Sequence, residues 1–413
     1  MSPSFFGCVI TSIDDIIIVG QPSVGLKGSF HTFKINNVGE DIQYETDFNI
    51  ESLIQYSPKD GHIDDGFGIS CKASKINESK YILIVGAHRH FEHGVIVGAA
   101  YIYTSIDEGE NWTYTSKLLP NKHMHKTLFG CSVNINNNFA VVGAFADNTE
   151  GWRVGGVHMF KETETDIWSH HRVFYPNMYT LTRTISSNYG FSLAFNGKFL
   201  AIGAPGEDSN GSVYIYYSNN NWDGDVDSQR LQNTNRFGFS LDITDDILLV
   251  GAPGENGMQG ITYSYKISNF FDLSYGFIPI NKQSDQIKTL TTNSRSSKTL
   301  FGRSLSGNSK FAVVSGFGKT GDGINIGSAF LYKINAHNDE EDLELLANMR
   351  DATSKELFGH SVVITEKYIL IGDPSADKVH VYNINKLIGC NLKKWHGSSI
   401  VLEPLPNYSI ELN

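Results

Sequence analysis

Between Tyr189 and Tyr217 the chain alternates apolar and polar positions in three short bursts separated by turn residues. Tyr189-Gly190-Phe191-Ser192-Leu193 follows the two-residue period of a strand, and Asn196-Gly197 is a hairpin signal. Phe199 to Ile202 is the second burst, stopped by Gly203-Ala204-Pro205-Gly206, where proline fixes the turn. Val213 to Tyr217 alternates again, just after Gly211. The pattern predicts three strands joined by turns, and it occurs seven times.

The copies align on an aromatic-Gly pair: Phe6-Gly7, Phe67-Gly68, Phe129-Gly130, Tyr189-Gly190, Phe237-Gly238, Phe301-Gly302 and Phe358-Gly359. Successive glycines lie 61, 62, 60, 48, 64 and 57 residues apart. A second glycine follows 13 residues later in five copies, at Gly20, Gly143, Gly203, Gly251 and Gly372. Copy two carries an insertion and places Gly86 18 residues on, and copy six has Ser315 at the 13-residue position. An alternating third element closes each unit, as in Ala100-Tyr101-Ile102-Tyr103 and Val379-His380-Val381-Tyr382. Repeats of this length and strand content predict an all-β fold, a seven-bladed β-propeller with four-stranded antiparallel blades. One propeller occupies residues 1–413, with blades starting near 6, 67, 129, 189, 237, 301 and 358. The first strand of a blade runs nearest the axis, where space is scarcest. Serines 70, 132, 192, 240, 304 and 361, each two residues after a first glycine, fit that place.

These landmarks resemble the FG-GAP repeat family, known from the seven-bladed propeller of integrin alpha subunits. The best matches are Phe237-Gly238-Phe239-Ser240 with Gly251-Ala252-Pro253, and the Tyr189 to Tyr216 unit. The resemblance implies the fold strongly and the function weakly. It also implies calcium held by an Asp-rich loop between the first two strands. The corresponding connections here, such as Asp14-Asp15, Asn196-Gly197 and Asp245-Asp246, are too short to wrap an ion and read as hairpin turns.

Along the chain, a stretch within Phe48 to Tyr56, Trp112 to Leu119 and a stretch around Trp168 to Tyr175 are expected outer strands of copies one to three. Copy four leaves little room for an outer strand before Arg236. Copy six is expected to have a glycine-rich turn over Gly316 to Gly327, and copy seven an outer strand over Ser399 to Glu403. No sustained helical period is visible. First and last blades are expected to meet face to face, with no strand exchanged between them.

Composition narrows the partner. The net charge of −11 argues against nucleic acid or an anionic membrane, which need a basic surface. No apolar run approaches the ~20 residues that span a bilayer. Met1 to Gly20 has no basic, apolar leader pattern and already reads as two strands, so cytoplasmic synthesis is expected, with any surface or virion exposure coming later. Cys8 and Cys131 fall at equivalent places two blades apart, beyond disulfide reach, and free thiols are expected.

Candidate chemistry is sparse. Asp223, Asp225 and Asp227 alternate after the third strand of copy four and could offer calcium oxygens, or form a solvated turn. His88, His90 and His93 lie in the second-to-third turn of copy two, and His123 and His125 in the linker to copy three. His-x-His puts two imidazoles on one side of an extended chain, a geometry zinc or copper uses; a metal-free polar loop patch is the competing reading. In a propeller these turns and linkers share one face. Phe91, Trp152 and Arg153 belong to that face too, and exposed aromatic and Arg side chains anchor interfaces. No serine-hydrolase elbow, phosphate loop or zinc-protease helix motif is present. The expected function is non-enzymatic protein or glycan binding, of adhesion type, through the loops of blades two and three. Two other classes stay open: a structural component of a large assembly or virus particle, and a hydrolase or lyase using the central channel.

Overall fold

Each aromatic-Gly pair marks the inner edge of a separate sheet. The computed structural model describes residues 5–411 apart from 24, 39–46, 123–124, 177–185, 234, 268–269, 273–275, 278–285, 292–298, 320–324, 335–343, 351–356 and 393–407. Seven four-stranded antiparallel sheets are arranged as the blades of one propeller. Blade four is representative: Ser192–Phe195, Phe199–Ala204, Ser212–Tyr217 and Asp227–Gln232 pair in that spatial order. In the six blades other than blade six the second strand is buried along its whole length, because both faces of a blade are covered by neighbours.

Close to the axis the blades touch backbone to backbone. The first glycine of each pair has φ between +84° and +90°, a conformation that costs other residues strain. Its carbonyl presses on the second glycine of the preceding blade. A Cβ added to Gly20, Gly86, Gly143, Gly203, Gly251 or Gly372 would lie 2.0 to 2.2 Å from the next blade's glycine oxygen. The serine opposite the second glycine in register reaches past it to that same carbonyl. Ser70 donates to Gly130 O at 2.8 Å, Ser132 to Gly190 O at 2.6 Å, Ser192 to Gly238 O at 2.7 Å and Ser240 to Gly302 O at 2.7 Å. Blade seven repeats the contact on blade one, Ser361 to Gly7 O at 2.8 Å. Blade six is the variant. Ser315 has the Cβ its counterparts lack, and Ser304 Oγ instead accepts the Val362 amide of blade seven at 3.1 Å.

The apolar core is divided among the seams. Seven clusters of buried side chains each join two adjacent blades. The cluster that closes the ring packs Phe6, Ile10, Ile17 and Val19 on Leu370, Val379 and Val381. Every sheet is built from one continuous stretch of chain, so the expected face-to-face closure without strand exchange is observed.

Four local expectations differ from the structure. Blade four has a full outer strand, Asp227–Gln232. Glycines 316 and 318 continue strand Phe311–Lys319 rather than opening a turn, because that hairpin extends through Asn325–Lys333. The outer strand of blade seven is Tyr408–Glu411, and residues 399–403 lie outside the described residues. A helix, Ile384–Leu392, follows the third strand of blade seven and sets Ile384, Leu387 and Ile388 into the cluster between blades six and seven.

The seam contact makes a graded prediction. Gly251→Ala, whose Cβ meets Gly302 O, should lose ~2–3 kcal/mol in urea unfolding. Gly94→Ala, with φ +80° and open space around it, should lose only about 1 kcal/mol. Equal losses would mean that the seam yields to the added Cβ and that blade spacing does not select glycine at the second site.

Candidate functional site

The second-to-third turns of blades two and three, and the linkers entering those blades, build an open cleft of about 620 Å³. In blade two the turn is a miniature hairpin, Phe91–Glu92 paired with Val95–Ile96. In blade three it is residues 145–155, closed by the Arg153 amide donating to Asn148 Oδ1 at 2.7 Å. The linker is tied to both: Lys126 N donates to Ile96 O at 2.7 Å, and Ala146 N to Thr127 O at 3.1 Å. Ile96, Leu128 and Ala146 line its apolar part, Phe91 and Trp152 its aromatic part, and Arg89, Lys126, Arg153 and His125 its basic part. Trp152 is 67% exposed and Phe91 42%.

The cleft gathers three cations on one face. Some cations elsewhere, such as Lys80, Lys117, Lys161 and Arg230, pair with carboxylates. Among the described residues Arg89, Lys126 and Arg153 make no ion pair. Two polar groups of the cleft are already engaged: Asp64 Oδ1 accepts Gly25 N at 2.6 Å and Asn148 Oδ1 accepts Arg153 N. What stays available is mainly cationic and aromatic, with Asp64 as the one carboxylate of the lining.

Beneath the cleft a buried polar network fixes the blade-two turn. His90 Nδ1 lies 2.9 Å from Asp65 Oδ2 and 3.3 Å from Tyr101 OH. Tyr101 OH donates to Asp60 at 3.1 Å, and Lys117 joins Asp60 at 2.9 Å to Glu92 at 2.7 Å. The hydrogen bond from Lys117 holds the Glu92 carboxyl below the usual carboxylate range. His90 O also accepts the amides of Val97 and Gly98, so the residue staples both ends of the turn. Its place, four residues after the second glycine, is filled by Asp147, Glu207 and Glu255 in blades three to five. Glu207 accepts Tyr214 OH at 2.8 Å and Glu255 accepts Tyr263 OH at 2.6 Å. This is a latch between turn and third strand, recurring across blades.

The structure therefore divides the predicted residues. Phe91, His125, Trp152 and Arg153 come together in the cleft. His90 lies below it as a structural group, and His88 packs its ring against Gly66. His93 points to solvent with its side chain 82% exposed, and His123 lies outside the described residues. His88, His90 and His93 do not converge, and no group of three His, Cys, Asp or Glu able to hold a metal occurs among the described residues. Asp223, Asp225 and Asp227 do not converge either. Asp223 pairs with Lys161 at 3.2 Å and faces His171 at 3.6 Å, and Asp227 begins the outer strand. That turn clamps blade four to blade three around Trp222, whose Nε1 donates to Gly197 O at 2.8 Å. Arg89 and Lys126 were missed as cleft residues; their only sequence signal is adjacency to His88, His90 and His125. Cys8, Cys71 and Cys131 are free thiols, and burial pushes Cys131 up to about 11. No helix among the described residues is long and apolar enough to cross a membrane.

Residues 112–160, which contain the blade-three landmarks and the Trp152 turn, match the FG-GAP repeat model. That stretch is thus similar to an FG-GAP repeat, in line with the sequence resemblance, and the whole chain folds as a seven-bladed propeller. No curated protein sequence matches it. Similar solved structures include a candidate 6-phosphogluconolactonase from Bacteroides uniformis, with 12% identity and TM-score 0.58, the match covering 96% of this chain and 99% of that one. Another, from Bacteroides fragilis, has 11% identity and TM-score 0.54, with 91% and 93% covered. At these identities the likeness is one of fold.

Two outcomes test the local chemistry. His90→Leu leaves the Asp65 carboxylate buried without its imidazole, and should cost about 1–3 kcal/mol in urea unfolding. Burial holds His31, His88 and His170 near a pKa of about 4, against an ordinary 6.5. Between these values the unfolded chain binds more protons, so stability is complete above 6.5 and falls as pH drops toward 4. The urea midpoint should be lower at pH 5 than at pH 7.5, and His170→Asn should narrow that gap. A midpoint that ignores pH in this window would contradict the burial of these rings.

Proposed function

We propose that this protein is a non-enzymatic binding module that takes a protein or glycan ligand through the cleft between blades two and three. One observation carries the reading: an exposed tryptophan stands among three cations without ion pairs, in a concave site, on a molecule of net charge −11. Exposed Trp and Arg are the residue types that dominate interface energetics. The turns that build the site are pinned by backbone hydrogen bonds and a buried latch, so the site is preformed and loses little order on binding. Among the described residues of the cleft none sets a nucleophile beside a base, which favours binding over turnover.

The test replaces Phe91 to Gly94 and Gly151 to Arg153 by short turns and probes the full chain on arrays of glycans and of synthetic peptides. The parent protein should bind a defined subset, the double graft should bind none of it, and both should melt at similar temperatures. Unchanged binding by a folded graft refutes the assignment to this cleft.

A further inference from the structure

We infer that the occupant of this cleft is an acidic protein segment carrying one large apolar side chain flanked by carboxylates. The inference rests on the binding reading above and narrows it to one ligand chemistry. The cleft has an amphipathic plan. Ile96, Leu128 and Ala146 offer an apolar surface with no donors or acceptors of their own. A sugar ring set against it would strand hydroxyls away from partners, whereas a Leu, Met or Phe side chain is stabilised there. Phe91 and Trp152 flank this surface as walls on which an apolar anchor can lie.

The cations Arg89, Lys126 and Arg153 come from three different segments: the blade-two turn, the linker and the blade-three turn. Such a spread matches several separate carboxylates along a chain better than one compact anion. Hydroxyl recognition would draw on side-chain carboxylate and carboxamide groups, and of the two present, Asp64 and Asn148, each already has its Oδ1 committed to a backbone amide. The volume, about 620 Å³, suits an anchor side chain and its immediate neighbours. Like charge elsewhere on the molecule opposes this partner at long range, so specificity is concentrated in the one basic spot.

The experiment uses the full chain on a synthetic peptide array in which acidic positions and one apolar position vary independently, beside an array of sulfated and carboxylated glycans. The best peptide is then measured by fluorescence anisotropy. Peptides with an apolar residue between Asp or Glu should be selected, with affinity falling as salt rises. Arg89→Ala, Lys126→Ala and Arg153→Ala should each weaken that peptide roughly tenfold. Trp152→Ala should weaken it with the salt dependence retained, and Lys198→Ala in a first-to-second turn, on the opposite face, should have no effect. Selection of anionic glycans over peptides overturns the ligand class while sparing the cleft assignment. Peptide binding indifferent to all three cations overturns the acidic ligand class, and indifferent to Trp152→Ala as well it overturns the cleft too; so does an absence of binding on either array by a protein whose melting is cooperative.

Discussion

The closeness of neighbouring blades at the axis is the constraint from which the rest of the molecule follows. A glycine carbonyl of one blade sits where a Cβ of the previous blade would be, and a serine hydroxyl closes the remaining gap to the same oxygen. The two residue types are coupled, because the serine can reach across only where its cross-strand partner has no side chain. Blade six shows the coupling by exception: with Ser315 in the glycine's place, the hydroxyl of Ser304 turns to a backbone amide instead. Outward from this contact the spacing relaxes, and the seams fill with aliphatic and aromatic side chains.

Because spacing is enforced at the inner edge, the connecting turns are free to differ in length and composition. The recurring latch then decides which turns become rigid. In blades four and five it is a Glu–Tyr hydrogen bond, and in blade two a His–Asp–Tyr network that draws in Lys117 and Glu92. Burial leads the forces on Glu207, raising its carboxyl pKa despite Tyr214 and Arg230. The longer turns of blades two and three are therefore supported from beneath, and the space they enclose keeps its shape without a ligand.

Legibility in the sequence followed the strength of the physical demand. Phe237-Gly238 and Gly251 were readable because positive φ at the first glycine and the close carbonyl at the second leave few residue types free to recur there. Outer strands were harder. Asp227–Gln232, with sequence DSQRLQ, buries only Leu231 and so lacks the alternation that marks a half-buried strand. The helix Ile384–Leu392 is nine residues long, too short for a sustained period, and its apolar positions are selected by the seam it covers. For the site, Phe91, Trp152 and Arg153 could be named from residue type and face. Arg89 and Lys126 could not, because a charged residue in a loop is unremarkable until the fold brings it beside others in one cleft. His90 misled for the converse reason: a histidine beside others suggested a ligand, while its real partner, Asp65, lies 25 residues away.

The seam between blades seven and one is built like the other six, from Ser361 on Gly7, His360 on Cys8 O and a shared apolar cluster, yet no peptide bond crosses it. Under tension applied between the two ends of the chain, it is the only joint held by non-covalent forces alone. Mechanical load would open the disc there first, and the blades would then peel away singly from the broken edge.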